Sequence, residues 1–419
     1  MNRQINYWTD SCNEKFHAPE LDEDLSADLV VIGGGYTGCA AALEAANLGI
    51  NVVLLEANIF GFGGSGRNVG LVNAGLWLPP DQVVQKLGNS TGSKLVDGLS
   101  NAPELVFDLI KQNQIQCDPK QNGTLHCAHN KNGWMDLQRR FAQWETRKAP
   151  VNLLDSTQIH QATGTAAYQG GLLDQRAGTI QPLGYVRGLA RAAHSRGAMV
   201  FENSPVIKIK RNDTSWTAHT KKARIHTRTI LLAQNAYAEG TFGKTGSRTA
   251  IVNYFQAVTE PIPTETWVNI LPQEQGSWDT APIMTSIRKA AQNRVIIGAM
   301  GRPEGIGKYI HLTWAQKKMA QLFPALKNVG FESHWHGKIS MSKDYLPKIM
   351  QLDDELFSIF GFSGRGIAPG TFFGTKFAQY IEKNAPEILP IDISHNYQDP
   401  YRQIKTLVFE LGARISHFY

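Results

Sequence analysis

The sequence predicts a mixed α/β (α+β) fold in which a parallel-sheet domain is interrupted by an inserted, mainly antiparallel one. Three observations predict it. The stretch from Asp28 to Glu56, DLVVIGGGYTGCAAALEAANLGINVVLLE, is an apolar strand, a glycine turn, an alanine-rich helix and a second apolar strand. A second strand–glycine loop–helix lies near the other end of the chain, where the apolar run Leu356 to Phe360 enters GFSGRGIAPG (361–370). Between them, residues 250–300 are rich in strand-forming runs, Val295-Ile296-Ile297-Gly298 being the clearest. One domain is therefore expected from distant segments, 1–75, 150–245 and 335–400. The inserted domain is expected from 76–149 and 246–334, with 401–419 as a C-terminal tail.

The first glycine turn carries chemistry. Gly33-x-Gly35-x-x-Gly38 follows a strand and opens a helix, the arrangement of a Rossmann-like dinucleotide-binding unit. Gly33 lets the strand turn sharply, Gly35 lets the backbone approach a pyrophosphate, and Gly38 lets helix and strand pack closely. The free N–H groups and positive dipole end of the helix favour an anion there. Glu56, at the end of the second strand, suits the ribose hydroxyls. A structural glycine turn is the alternative; the two flanking strands and the acid favour the nucleotide.

The remaining elements follow in order. Residues 1–27 read as a polar arm carrying Tyr7-Trp8. Helical spacing covers 81–115 and 131–148, and QNGTLHCA (121–128) turns into a short strand. A helix starts at Pro182 and stops near Gly197. Met199 to Lys210 reads as a strand pair bent at Pro205, and Thr229 to Ala233 as a buried strand. Trp314 to Phe323 reads as a helix, and another runs from about Thr371 to Glu382.

Composition narrows the function classes. The 419 residues are 42% apolar and 19% charged, enough for a large core and unlike a disordered chain. The formal net charge is +6, but the basic residues are scattered. The clusters Lys208-Ile-Lys210-Arg211 and Lys221-Lys222-Ala-Arg224 flank Trp216 in a strand-like stretch, which reads as a solvated hairpin rather than a nucleic-acid patch. Cys12, Cys39, Cys117 and Cys127 form no CxxC or zinc spacing, a reduced, cytoplasmic pattern. No apolar run is long enough to span a bilayer. His334-Trp335-His336 lacks a third ligand nearby and reads as packing, so no metal is expected.

These motifs occur together in a known family. DLVVIGGGYTG, the loop GFGGSGRNVGLVNAG (61–75), the strand TILLAQNAY (229–237) and GFSGRGIAPG stand in the order found there. The chain resembles the FAD-dependent amine and amino acid oxidoreductases of the D-amino acid oxidase, glycine oxidase and sarcosine oxidase superfamily. YWTDSC, the SGRN-x-G loop and YQGGLLDQRAGTIQPLGYVRGLARAA (168–193) resemble its gamma-glutamylputrescine oxidase-like subgroup. The resemblance implies a Rossmann-like FAD-binding domain, with the substrate on the inserted domain. It implies cofactor contacts at Gly33, Gly35, Tyr36, Thr37 and Gly38, at Glu56 and Ala57, and at Ser65, Gly66, Arg67, Asn68 and Gly70. Further contacts fall at Val206, at Ala233, and at Gly361, Gly364, Arg365, Gly366 and Ile367. Arg67 reads as neutralising phosphate or steadying the reduced flavin, or else as a surface arginine. Arg365 reads as a flavin or substrate contact, or as structural. Trp335 reads as a wall of the amine site, or as core.

Absences also point. Neither Ser65-Gly66-Arg67-Asn68 nor Lys338-Ile-Ser-Met-Ser342 carries the histidine or cysteine through which some members attach FAD, so FAD is expected to be non-covalent. The usual carboxylate clamp positions fall on Ile339, with Lys338 slightly out of register, and on Ala368. That implies a primary or secondary amine whose anionic or polar group is distal. The expected reaction is hydride transfer from the α-carbon to the flavin N5, then imine hydrolysis to an aldehyde with release of ammonia or an amine. Oxygen is the expected acceptor, although the lysine that promotes it in sarcosine oxidases falls on Ile296; Arg67 and Lys343 are the alternative cations. The other readings are an α-amino or imino acid oxidase or dehydrogenase clamped by Arg288 or Arg302, and a flavin-carrying subunit of a larger complex.

Overall fold

The computed structural model describes residues 6–238 and 249–418. Among these residues the strands form a nine-stranded sheet, an eight-stranded sheet and a two-stranded ribbon. The nine-stranded sheet runs Ile393–Ser394, Lys348–Asp353, Leu356–Phe360, Arg224–Leu232, Leu25–Ile32, Val52–Leu55 and Met199–Phe201, with Trp216–His219 and Lys208–Arg211 added beside Arg224–Leu232. Its centre is parallel. Strands covered on both faces need continuous apolar runs, and Leu29 to Ile32 and Val52 to Leu55 are buried throughout. Arg224–Leu232 shows both regimes. Its first half alternates exposed and buried beside the hairpin, and its last four residues are wholly buried.

The eight-stranded sheet runs Phe331–Met341, Ala250–Thr259, Arg294–Met300, Ser286–Ala290, Gly276–Asp279, Thr124–Cys127, Gly171–Asp174 and Val151–Leu154. All its pairs are antiparallel except Gly276–Asp279 with Thr124–Cys127. Val295, Ile297 and Ala299 join the core on one face, with Phe255 and Leu326; Ile296 joins the other core, with Leu43 of helix Tyr36–Asn47 and Phe373 of helix Ile367–Lys383. The chain passes between the sheets repeatedly. Strand pairing places Val151–Leu154, Gly171–Asp174 and the far end of Phe331–Met341 in the eight-stranded sheet, beyond the expected boundaries at 150 and 335.

Several expectations need correction. Among residues 6–27 the expected polar arm is anchored in the core: Trp8 is 2% exposed, donates Nε1–H to the Asn68 carbonyl at 2.9 Å and packs edge-on against Trp335. An aromatic pair gains more from burial than from solvent, and its one polar atom finds an acceptor. Met199–Phe201 and Lys208–Arg211 do not pair with each other; one extends the parallel sheet and the other the hairpin. Two helices start earlier than periodicity indicates, at Ile306 and at Ile367. The tail is a helix, Arg402–Phe418, packed against Ala250–Thr259 and Ile306–Leu322.

Close helix packing explains two further glycines. Helix Tyr36–Asn47 lies against Ile367–Lys383. A Cβ at Gly374 would stand 2.2 Å from the Thr37 carbonyl oxygen, and one at Gly38 would stand 2.0 Å from that of Gly33. None of the described helices is long and apolar enough to cross a membrane.

Candidate cofactor and substrate site

The loops after Leu25–Ile32, Val52–Leu55 and Leu356–Phe360 converge on a cavity of about 1050 Å³. This is where ligands bind in α/β sheets, beyond the carboxyl ends of the parallel strands. One side is backbone-rich: Gly33 to Thr37, Glu56 to Asn58, Gly61 to Ser65, Ser204 to Ile207 and Phe362 to Ile367. The other side comes from the eight-stranded sheet, with Tyr254, Gln256, Trp278, Ser286 and Met300.

The backbone-rich side fits a dinucleotide. Tyr36–Asn47 and Ile367–Lys383 both begin at this cavity, with glycine N-caps (Gly35 and Gly366) that supply no side-chain hydrogen bond. Two helix N-termini therefore present donors to the same space. A Cβ at Gly366 would meet nothing within 4 Å, and one at Gly364 only the tip of Ile339, so side chains there would fill the cavity. Glu56 accepts from Gly34 N–H at 2.7 Å and Asn58 N–H at 2.9 Å. Burial raises its pKa above the usual carboxylate range, the two backbone donors partly offsetting this.

The loop at 61–70 is a hydrogen-bonded knot. Ser65 Oγ accepts from Tyr36 N–H at 3.2 Å, and the Tyr36 hydroxyl donates to the Ser65 carbonyl at 2.6 Å. Asn68 Nδ2 reaches the Tyr36 hydroxyl and the Gly64 and Ser65 carbonyls, all at 3.0 Å. Arg67 is half-buried and pinned by the Phe62 carbonyl at 2.7 Å and the His336 carbonyl at 3.2 Å, with Phe62 beneath its guanidinium. Burial holds the Tyr36 hydroxyl well above its ordinary pKa, so it stays a neutral donor.

Most residues expected at the site line the cavity: Gly33, Gly35, Tyr36, Thr37, Glu56, Ala57, Ser65, Arg67, Asn68, Val206, Ala233, Gly364, Arg365, Gly366 and Ile367. Gly38, Gly66, Gly70 and Gly361 stand behind the wall. A Cβ at Gly66 would sit 2.1 Å from the Gly61 oxygen, and one at Gly70 2.2 Å from that of Ile180. Gly361 N–H donates to Asn235 Oδ1 at 3.0 Å. These four shape loops rather than the cavity surface.

Trp335 and Lys343 are corrections. Trp335 is fully buried outside the wall, with Nε1–H on the Arg67 carbonyl at 2.9 Å, so it fixes Arg67 and lines nothing. Lys343 is exposed and away from the cavity, its N–H donating to the Tyr397 hydroxyl. The alternative clamps fail similarly. Arg288 is buried, with Nη1 on the Ile180 carbonyl at 2.6 Å and the Val69 carbonyl at 3.1 Å, and Arg302 pairs with Glu304 outside the wall. Ile296 and Ala368 lie in the core, not on the cavity.

Residues 28–380 match the family described as FAD dependent oxidoreductase (DAO). The chain belongs to this family. Among relatives of this DAO chain, the gamma-glutamylputrescine oxidoreductase of Escherichia coli is 28% identical over 90% of this chain and 89% of its own. A probable oxidoreductase, OrdL, of Haemophilus influenzae is 29% identical over 86% and 84%. The crystal structure of glycine oxidase from Geobacillus kaustophilus superposes with a TM-score of 0.72 at 19% identity, covering 89% of this chain and all of that one, a likeness of fold. The DAO chain is thus an FAD-dependent oxidoreductase.

Sequence reasoning missed the opposite wall. Tyr254, Gln256, Trp278 and Met300 sit on strands whose pairing no local motif encodes. Lys338 also lines the cavity, where a register argument had set it aside. Val408, Phe409, Gly412, Ala413 and Ser416 of the C-terminal helix complete the wall. The apolar spacing Ile404, Leu407, Val408, Leu411, Ile415 was a readable helix signal there.

Proposed function

We propose that this chain oxidises the C–N bond of a primary or secondary amine bearing a distal anionic or polar group. FAD held in the cavity would supply a two-electron acceptor for the hydride of the α-carbon; with loss of a proton from nitrogen the amine would become an imine, which water would hydrolyse to a carbonyl compound plus ammonia or a smaller amine. The nine-stranded sheet with its helices forms the FAD-binding domain, and the eight-stranded sheet forms the substrate domain. The observation that carries this reading is one cavity with a glycine cradle on one side and a mixed aromatic and aliphatic wall on the other.

Three features of the cavity serve this reaction. Tyr254, Trp278, Met300 and Val252 exclude water around the reacting carbon and lower the local dielectric, which favours the neutral amine. The Tyr254 hydroxyl is held by Ser286 Oγ and the Gly298 carbonyl, both at 3.0 Å, so its ring position is set before substrate arrives. Arg67, fixed by two carbonyls, holds a positive charge at the cavity where the two helix N-termini also favour negative charge. No carbon-bound proton has to be taken by a side chain. FAD is held without a covalent bond, since the described residues of the wall include no histidine or cysteine. Oxygen serves as acceptor, with Arg67 and Lys338 two of the cations on the wall that would stabilise developing superoxide.

The names of relatives are compatible with this chemistry, gamma-glutamylputrescine oxidoreductase and sarcosine oxidase subunit beta among them. Anaerobic bleaching of the flavin across a panel of amines tests the reading. An ω-amino compound with a remote polar or anionic group should reduce the flavin fastest. Faster reduction by D-alanine, glycine or sarcosine than by every ω-amino compound would overturn it.

A further inference from the structure

Four arginines are buried or on the cavity wall; Arg187 sits in helix Pro182–Ser195 outside the cavity lining, and the other three differ in what holds them. Arg67 and Arg288 are satisfied by backbone carbonyls. Arg365 is 9% exposed, lines the cavity, and makes no side-chain hydrogen bond or ion pair among the described residues. Its guanidinium instead stacks on Trp278, 4.4 Å from the ring centroid. A guanidinium has five donors in a rigid fork, and a buried arginine is nearly always paired. The neighbouring charges are already engaged. Arg140 binds Asp136 at 2.7 Å and the Trp77 carbonyl at 3.1 Å, and Asp174 binds Arg176 at 2.7 Å.

The surroundings fix the direction in which this fork is offered. Arg365 lies between Gly364 and Gly366, so its backbone belongs to the loop that opens helix Ile367–Lys383, yet its side chain reaches Trp278 of the eight-stranded sheet. Trp278 is held in turn by His126, stacked with ring centroids 3.4 Å apart, and by Trp77 at 5.4 Å. His126 is kept neutral by burial, so it adds no competing charge. Burial also lowers the Arg365 pKa to about 9, the cost of a cation with no counter-ion.

We propose that Arg365, steadied on Trp278, is the anchor for a carboxylate on the substrate, so that the amine oxidised here is a carboxylate-bearing one. The fork matches a carboxylate in two parallel charge-assisted hydrogen bonds. Anchoring at a point that does not react is also how binding energy orients the reacting carbon. This inference rests on the amine-oxidation reading for its reaction, though not for its anion site.

Two measurements on the FAD-loaded enzyme test it. Glutarate, which has no amine to oxidise, is titrated against wild type, Arg365→Gln and Arg365→Lys while the visible flavin spectrum is followed. Its Kd should rise about tenfold or more in Arg365→Gln and by less in Arg365→Lys, which keeps the charge but not the fork. Anaerobic flavin reduction is then compared for 5-aminopentanoate and its neutral carboxamide. Wild type should prefer the carboxylate by about tenfold or more, and Arg365→Gln should erase the preference. An unchanged glutarate Kd in both variants overturns the anchor. A shifted flavin midpoint potential with an unchanged glutarate Kd also overturns it, assigning Arg365 to the cofactor. If neither amine reduces the flavin, the amine-oxidation reading falls, and the glutarate titration decides the anchor by itself. Should Arg365→Gln lose its flavin, the Arg365→Lys titration carries the comparison, a Kd equal to wild type overturning the proposed fork.

Discussion

Glu56 serves two backbone donors that turn away from the regular ladder, Gly34 N–H and Asn58 N–H, and it lines the cavity as well. Replacing it with alanine removes an acceptor from both donors and a charge from the cavity wall. Glu56→Ala should weaken FAD retention by about 2 kcal/mol, read as the FAD dissociation constant of apo-protein reconstituted with the cofactor. An unchanged constant would move the ribose contact elsewhere. Burial raises the Glu56 pKa, so the folded state holds this proton more tightly than the unfolded chain. The stability this contributes is full below the ordinary carboxylate pKa and is lost as pH rises through the raised value. Glu56→Gln should flatten that part of the apo-protein's stability–pH curve.

At the scale of elements, helix contacts depend on where a methyl group fits. At Gly374 a Cβ would meet the Thr37 carbonyl oxygen at 2.2 Å, whereas at Gly412 it would meet nothing within 4 Å. Gly374→Ala should therefore destabilise the protein by about 1–3 kcal/mol, while Gly412→Ala should be neutral or stabilising by up to about 1 kcal/mol. Thermal melts of the two variants make the comparison, and equal shifts would discredit the packing account. The C-terminal helix is fastened by a different device. His311 and His417 share a hydrogen bond between their Nδ1 atoms at 2.7 Å, with Trp314 stacked on His417 at 3.9 Å. Burial lowers both pKa values, that of His417 to about 3. The unfolded chain thus takes protons near pH ~6.5 that the folded pair refuses. The pair's contribution is present above that pH and is lost progressively as pH falls toward the folded values. Amide protection factors of residues 402–418, corrected for the intrinsic exchange rate at each pH, should fall on acidification in wild type and less steeply in His417→Phe. Parallel pH profiles in the two would remove the histidine pair from the explanation.

For the whole molecule, the consequence of two sheets closing on one cavity is that its two sides come from segments far apart in sequence. The glycine-rich side uses residues 32–37, 55–58, 204–207 and 362–367, and the opposite wall uses Tyr254, Trp278 and Met300. Because the described wall offers neither histidine nor cysteine, acid precipitation should leave the yellow colour in the supernatant. Colour retained in a washed pellet would show a covalent link.

The sequence by itself determined the glycine-rich half of the cavity. Gly33, Gly35, Gly38 and Glu56 act through local geometry, a turn, a helix start and a strand end, and local geometry is written in consecutive residues. The same holds for the second glycine loop, whose helix starts only a few residues from where periodicity places it. The core runs Leu29 to Ile32 and Val52 to Leu55 were legible because strands buried on both faces admit only apolar side chains. Tertiary structure alone decided the rest. Trp335 reads as an aromatic wall and is a support for Arg67; Lys343 reads as a cation for the site and is exposed outside the cavity lining. Trp278 and Tyr254 carried no signal, because the face a strand presents to a cavity depends on partners, such as Thr124–Cys127, that lie far off in the chain. Whether Arg365 is bound or free also depended on where Asp174, Asp136 and the carbonyl groups fell in space. A buried charge is satisfied or left open by its three-dimensional neighbours, and those neighbours are set by long-range pairing that no short stretch of sequence contains.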